Sequence, residues 1–194
     1  MTLQYGTDEW EQEYQAVVAE KSKSPPPYIY FTPEWVALFE KAIRMDEVYK
    51  EAAKDWEGSV VLHVEPDPER GLEFDLYVFM DLWHGECRSV RIVPESAGLA
   101  GDFIISGSLD RWTQVGKREL DAVKGMMQGK LKLEGDLPTI VRAVRAAQRL
   151  TDISAEVGGK FPPDLPSDEI PEFRQVNNEL AERFLGIKAT TPAV

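Results

Sequence analysis

The stretch 101–150, GDFIISGSLDRWTQVGKRELDAVKGMMQGKLKLEGDLPTIVRAVRAAQRL, decides the fold. It reads strand, helix, helix, strand, helix. Phe103-Ile104-Ile105 is a short β-type apolar run. Ser108 stands where an N-cap belongs, with Asp110 in the first turn behind it. Leu109, Trp112 and Val115 then recur at helical spacing until Gly116. Leu120, Val123, Met126 and Met127 make a second apolar stripe, closed by Gln128-Gly129. Residues 130–134 alternate charged and apolar, with Leu131 and Leu133 inward, which predicts a half-buried strand. Asp136 caps a last helix whose Pro138 sits in the first turn, where a missing N–H costs nothing. Its stripe is Leu137, Ile140, Val141, Val144 and Ala147.

Upstream, Thr32-Pro33-Glu34 opens a helix with a cap, a proline at the first helical position and an acid in the first turn. Trp35, Leu38, Phe39, Ala42 and Ile43 share one face of it. Asp46 restarts the helix with Val48, Tyr49, Ala52 and Trp56, and Gly58 ends it. A meander follows: a strand over 59–64, a turn over 66–71, a long strand over 72–83, a hairpin at His84-Gly85 and a return strand over 87–93. In the long strand Leu72, Phe74, Leu76, Val78, Met80 and Leu82 fall on one face. Glu73, Asp75, Tyr77, Phe79, Asp81 and Trp83 fall on the other, a pattern that predicts helices on one side of the sheet only. A loop over 94–100 leads back to Phe103. The expected fold is α/β, of the α+β kind: a five-stranded, mostly antiparallel sheet with helices covering one face.

Three units are expected: an N-terminal extension and Pro-rich linker over 1–31, the principal domain over 32–158, and a linker with an amphipathic helix over 159–194. Within the first, Trp10, Tyr14, Val17 and Val18 suggest a loose acidic helix, and Tyr28-Ile29-Tyr30-Phe31 an apolar arm that covers a sheet face or a partner chain. Within the last, Phe173, Val176, Leu180 and Phe184 align on a helix over 171–184 with Gly186 as its C-cap, either a lid or an arm reaching a neighbour.

Composition narrows the function. The 194 residues are 43% hydrophobic and 29% charged, ordinary for a globular protein, and no apolar run approaches the roughly 20 residues that span a bilayer. The acidic start is no signal peptide, the single Cys87 fits a reducing cytoplasm, and 190–194 is not a peroxisomal address. A net charge of −12 argues against nucleic acid as a partner. The charge is uneven, since 101–150 carries nine Lys/Arg against six Asp/Glu. His63, Asp81, His84, Glu86 and Cys87 are the one concentration of reactive side chains. One Cys with one His falls short of a zinc set, and there is neither a Gly-x-Ser-x-Gly elbow nor a Gly-rich phosphate loop. No catalytic residue, metal or cofactor is expected.

The segments GDFIISGSLDRW and MMQGKLKLEGDLPTIVRAV resemble the type 2 sterol carrier protein family of small lipid-binding α/β domains. Gly129-Lys130-Leu131 and Gly135-Asp136 match the family's strand motif. The opening FTPEWVALFEKAI and YKEAAKDWEGSVVL is similar to prokaryotic members. The chain departs where the family often has Asn-Pro between its two helices, having Gly116-Lys117-Arg118 instead. The resemblance implies a hydrophobic tunnel between sheet and helices. A stripe at helical spacing is what any packed helix shows, but the adaptable pair Met126-Met127 suits a surface that accepts variable apolar shapes. Phe103, Ile105, Trp112, Val115, Leu120, Met126, Met127, Leu133, Ile140 and Val144 are the expected lipid-lining residues. Arg142, Arg145 and Arg149 recur along one helix face, either as a solvated face pairing with the protein's own carboxylates or as a dock for an anionic headgroup or membrane surface. The expected partner is a fatty acid, fatty acyl-CoA or other lipid, bound without covalent chemistry. The alternative is an accessory protein whose aromatic patch Tyr77, Phe79 and Trp83 binds another chain. Oligomeric state stays open, a homodimer included.

Overall fold

The computed structural model describes residues 2–188; 190–194, read above for an address, lies outside them. Among the described residues five strands form one sheet in the order β3-β2-β1-β4-β5. The central β1 (Val60–Val64) runs antiparallel to β2 (Leu76–Trp83) and parallel to β4 (Phe103–Gly107). Antiparallel β3 (Glu86–Val93) and β5 (Lys132–Glu134) lie outside them. The register sets Leu62 between Val78 and Ile105, and Val60 beside Met80. Because side chains alternate, these residues share the inner face with Leu76, Leu82, Val90 and Ile92, all in one core cluster with the helices.

The strand expected over 72–83 begins only at Leu76. Leu72 instead pairs back on Asp67 around the 3-10 turn Pro68–Arg70, with Gly71 at φ 89°. Leu72 and Phe74 are buried all the same, so the alternation recorded burial beyond the ladder. At the hairpin, His84 and Gly85 both take positive φ (48° and 81°), as a right-twisted two-residue turn requires.

The inner face is covered by α2 (Pro33–Met45), α3 (Glu47–Ala52), α5 (Leu109–Gly116), α6 (Ala122–Met127), α7 (Leu137–Arg142) and α8 (Val144–Val157). Their starts follow the sequence. Ser108 accepts from the Arg111 N–H (3.2 Å), Asp121 from Lys124 (2.8 Å), and Asp136 from Thr139 (3.0 Å). The helix expected to run unbroken from Asp136 is interrupted at Ala143 (φ −96°, ψ 22°).

The outer face is not bare, as the one-sided pattern had suggested. A single turn, α4 (Glu95–Gly98), lies so close on Tyr77 that a Cβ at Gly98 would stand 2.5 Å from the ring. Val61, Tyr77, Val93 and Ile104 form a small second cluster there. The expected aromatic patch is thereby reduced: Tyr77 is buried, Phe79 half-buried, and only Trp83 is exposed, with Arg88 over its ring.

The N-terminal helix α1 (Asp8–Lys21) is part of the core rather than loosely docked. Trp10 stacks on Tyr14 (4.8 Å), and Phe184 meets both edge-on at 5.7 and 5.6 Å. The Trp10 indole donates to the Phe184 carbonyl (3.1 Å), while the Tyr14 hydroxyl accepts from Ile92 N–H (3.1 Å). Phe184 belongs to a π-helical turn, Ala181–Leu185, that continues α9 (Ile170–Leu180) and ends at Gly186 with φ 72°. The final helix rests on its own chain, where Asn177 donates to the Gly71 carbonyl (3.3 Å). No described helix is long and apolar enough to cross a membrane.

Candidate functional site

Between the inner sheet face and α8 lies a cavity of about 110 Å³. Its floor is Val60, Leu62, Met80, Leu82 and Ile105. Its roof is Ala143, Ala146, Ala147 and Leu150, with Thr151 and Ser154 further along α8. Alanine side chains stop at Cβ, so Ala146 and Ala147 of α8, with Ala143 at the break before it, cannot fill the layer beneath them. A void this size costs about 2–3 kcal/mol relative to a filled interior, at about 24 cal/mol per Å³. Trp112, Val115 and Gly116 from α5, Ala122 and Met126 from α6 and Ile140 from α7 form walls, and Tyr30, Phe31, Trp35, Phe39, Tyr49 and Trp56 complete the lining.

No charged side chain is among these lining residues. The polar edges of the aromatic ones mostly turn to backbone carbonyls. Trp35 donates to Gly158 (2.8 Å), Trp56 to Gly58 (2.8 Å), Trp112 to His63 (2.9 Å) and the Tyr30 hydroxyl to Ser154 (2.8 Å). What they leave facing the space is hydrocarbon. Burial, with a smaller contribution from Cys87, pushes the pKa of the Tyr49 hydroxyl up.

The arm 28–31 is stitched to the end of α8 and covers the cavity, not the outer sheet face. Tyr30 N–H donates to the Lys160 carbonyl (2.9 Å), and Lys160 N–H to that of Tyr28 (2.8 Å). The Tyr30 ring stacks between Trp35 and Phe161, 4.3 Å from each. Phe31 is held at φ 67°, a left-handed conformation costly for a bulky side chain.

Of the expected lining residues, Ile105, Trp112, Val115, Met126 and Ile140 border the cavity. Phe103 is buried against Trp56 (5.0 Å), Leu120 is buried beside Gly125, and Leu133 is half-buried opposite Ile105. Met127 is 65% and Val144 42% exposed, both outside the lining. Sequence reasoning missed the aromatic arm, the sheet floor and the small-residue face of α8. The floor was legible as inner-face alternation; the α8 face carried no signal, because alanines at helical spacing read as close packing.

The arginines separate. Arg149 is clasped by Asp46 (2.6 Å) and Glu156 (2.8 Å), and this hydrogen bonding holds the Asp46 carboxyl below the usual range. Arg142 bonds to Thr139 on α7 (2.9 Å), whereas Arg145 is exposed. On the outer face His63 joins Asp75 (2.7 Å) and Ser106 (2.9 Å) beneath Tyr77, whose ring stacks on it at 4.6 Å. Exposed His84 pairs with Glu57 (2.7 Å). Cys87 is buried on the inner side, its thiol pushed up to about 12 chiefly by burial, with Glu40 adding. No group of three or more His, Cys, Asp or Glu suited to a metal occurs among the described residues.

A charge-free, largely apolar cavity thus lies between the two layers of this α/β domain. The model of the SCP-2 sterol transfer family matches residues 39–148, and the chain belongs to that family. It is 35% identical to a protein whose crystal structure is named sterol carrier protein 2, with a TM-score of 0.61 over 66% of this chain and 98% of that one. A candidate sterol carrier protein from Thermus thermophilus is equally similar, at 35% identity and TM-score 0.61 over 66% of this chain and 90% of its own. Among curated proteins no match is found. Membership supports binding or transfer of a lipid or sterol as the general function. The matched span starts within α2 and ends in α8, so α1, the aromatic arm and α9 lie outside it.

Proposed function

We propose that the protein holds a fatty acid, fatty acyl-CoA or other lipid in this cavity and carries it without covalent chemistry. The observation that supports the reading is the charge-free lining, whose indole edges are occupied elsewhere. Burying a chain of about 16 carbons at ~0.8 kcal/mol per methylene yields roughly 12 kcal/mol gross, more than the several kcal/mol that association costs. At about 110 Å³ the cavity is smaller than the roughly 300–1,000 Å³ of drug-sized sites. A full-length guest therefore needs the layer to widen, and the strained arm at Phe31 and the α7–α8 break at Ala143 are where it would give.

Arg142 and Arg145 stand exposed beside Val141 and Val144, a basic and apolar edge suited to transient contact with an anionic membrane surface, in the cytoplasm. The competing accessory-protein reading loses support because Tyr77 is buried under α4. Native mass spectrometry of detergent-free protein is the test, together with titration by a fluorescent fatty acid. A co-purified lipid mass and saturable binding are expected. A bare chain that binds no fluorescent fatty acid overturns the proposal.

A further inference from the structure

We infer that the arm 28–31 is the gate of the cavity: a guest enters and leaves where this segment lifts off residues 158–161. The inference rests on the cavity being a lipid site and adds the route into it. Of the lining residues, Tyr30, Phe31, Trp56 and Ala143 alone lie outside a helix or a strand. Two of these are pinned. The Trp56 carbonyl accepts from the His84 N–H (2.7 Å) while its indole donates to Gly58 (2.8 Å). Ala143 stays bonded to the helices on both sides, its N–H to Ile140 (3.0 Å) and its carbonyl to the Ala147 N–H (3.0 Å). The arm is fastened to the end of α8 and the strap beyond it by two backbone bonds with Lys160 and by the Tyr30 hydroxyl on Ser154.

Both sides of this seam are built to part. On the face of Tyr30 away from Trp35 stands Phe161, itself half-buried, so along this line two rings separate the cavity from solvent. Gly158 and Gly159 follow α8 with φ of 68° and 144°, values that glycine takes readily, and give the strap a hinge. Phe31 at φ 67° holds strain that release of the arm relieves. Upstream, residues 22–27 are all exposed, so the arm can swing without pulling on the core behind it. Both halves of the seam lie outside the span 39–148 matched to the family, so the gate belongs to what this chain adds to it.

The test locks the seam. Ile29 and Lys160 face each other in a parallel bridge, and neither lines the cavity. Paired strand residues stand about 4.8 Å apart, within reach of a disulfide. The double variant Ile29→Cys, Lys160→Cys is therefore compared reduced and oxidised with diamide. Cys87 does not compete, being buried with its thiol pushed up to about 12. Loaded with a fluorescent fatty acid and then oxidised, the protein should release it to phosphatidylcholine vesicles about tenfold more slowly than when reduced. Oxidised empty, it should take the fatty acid up as slowly. Gly159→Ala acts in the opposite sense, because its Cβ would stand 2.6 Å from the Tyr28 carbonyl oxygen and prise the arm away. Entry and release should then both quicken about three- to tenfold, the span of one net hydrogen bond. Release from the oxidised double variant at the reduced rate, with the disulfide complete by intact mass, overturns the inference and leaves the lipid site standing. So do unchanged rates in Gly159→Ala. If neither wild type nor the reduced variant binds the fatty acid, the lipid reading itself fails and the gate with it.

Discussion

The two ends of the inner core are built differently. Near α1 and α9 it is solid: Trp10, Tyr14 and Phe184 interlock at under 6 Å, and buried Glu40 accepts from Val90 N–H (2.7 Å) while Arg91 bridges it to Glu11. Under α8 the same sheet face meets Ala143, Ala146 and Ala147, and space remains. One end is filled by interlocked rings and a closed ionic network; the other has rings at its walls but only alanine methyl groups across from the sheet floor. Interiors pack to crystal-like density unless something forbids it, so a void beneath the alanines sets this end apart as the one proposed to take a guest. The solid end provides the stability from which that void subtracts.

The largest way to break this contrast is Trp10→Ala. It should cost about 3–5 kcal/mol, read as a lower denaturant midpoint, while the protein that remains folded keeps its affinity for a fluorescent fatty acid. Ala146→Leu attacks the other end with the opposite sign. Filling the void should add about 1–2 kcal/mol and weaken fatty-acid binding more than tenfold. A variant that is stabilised but still binds would place the guest elsewhere.

Acid sharpens the comparison, because each end has a carboxylate held low by an arginine: Glu11 by Arg91 and Asp46 by Arg149. A carboxyl whose folded pKa is depressed contributes stability that is complete above its unfolded pKa, about 4, and is lost as pH falls through the folded value. Denaturant midpoints should be flat from pH 7 to about 5 and fall below about 4. Glu11→Gln and Asp46→Asn should each lower the plateau and flatten that acid limb. Smallest of all is Met127→Glu: the side chain is exposed, so stability should move by less than about 0.5 kcal/mol and fatty-acid binding not at all.

What the sequence revealed and what it hid follow from the same physics. Caps at Ser108 and Asp136, and glycines at the ends of elements, are local chemistry, and the order of elements over 101–142 could be read from them. The five-stranded, mostly antiparallel sheet likewise followed from alternation, since inner and outer faces differ in polarity. Alternation failed at Leu72 and Phe74 because burial, which it reports, persists where hydrogen-bonded pairing has stopped. The N-terminal helix was underrated because its many acids dominate its composition, while Trp10 and Tyr14, four residues apart, provide the anchoring. The site was half legible. Trp112, Val115 and Met126 stood out as a stripe, but a hollow is a property of what two layers fail to fill, and no single segment encodes it.

The parallel pairing of β1 with β4 sets when the chain can acquire a receptacle at all. Val60 meets Phe103 only after the intervening β2–β3 hairpin is accommodated, a closure between positions far apart in the chain. Such non-local joining is slow and comes at a cost in chain entropy that local turns do not bear. The hairpin can zip by itself, whereas Leu62 and Ile105 become neighbours only with the long excursion closed. Affinity for a guest should therefore arise and vanish in step with global cooperativity, so that a nascent or partly unravelled chain has no vessel in which to carry cargo.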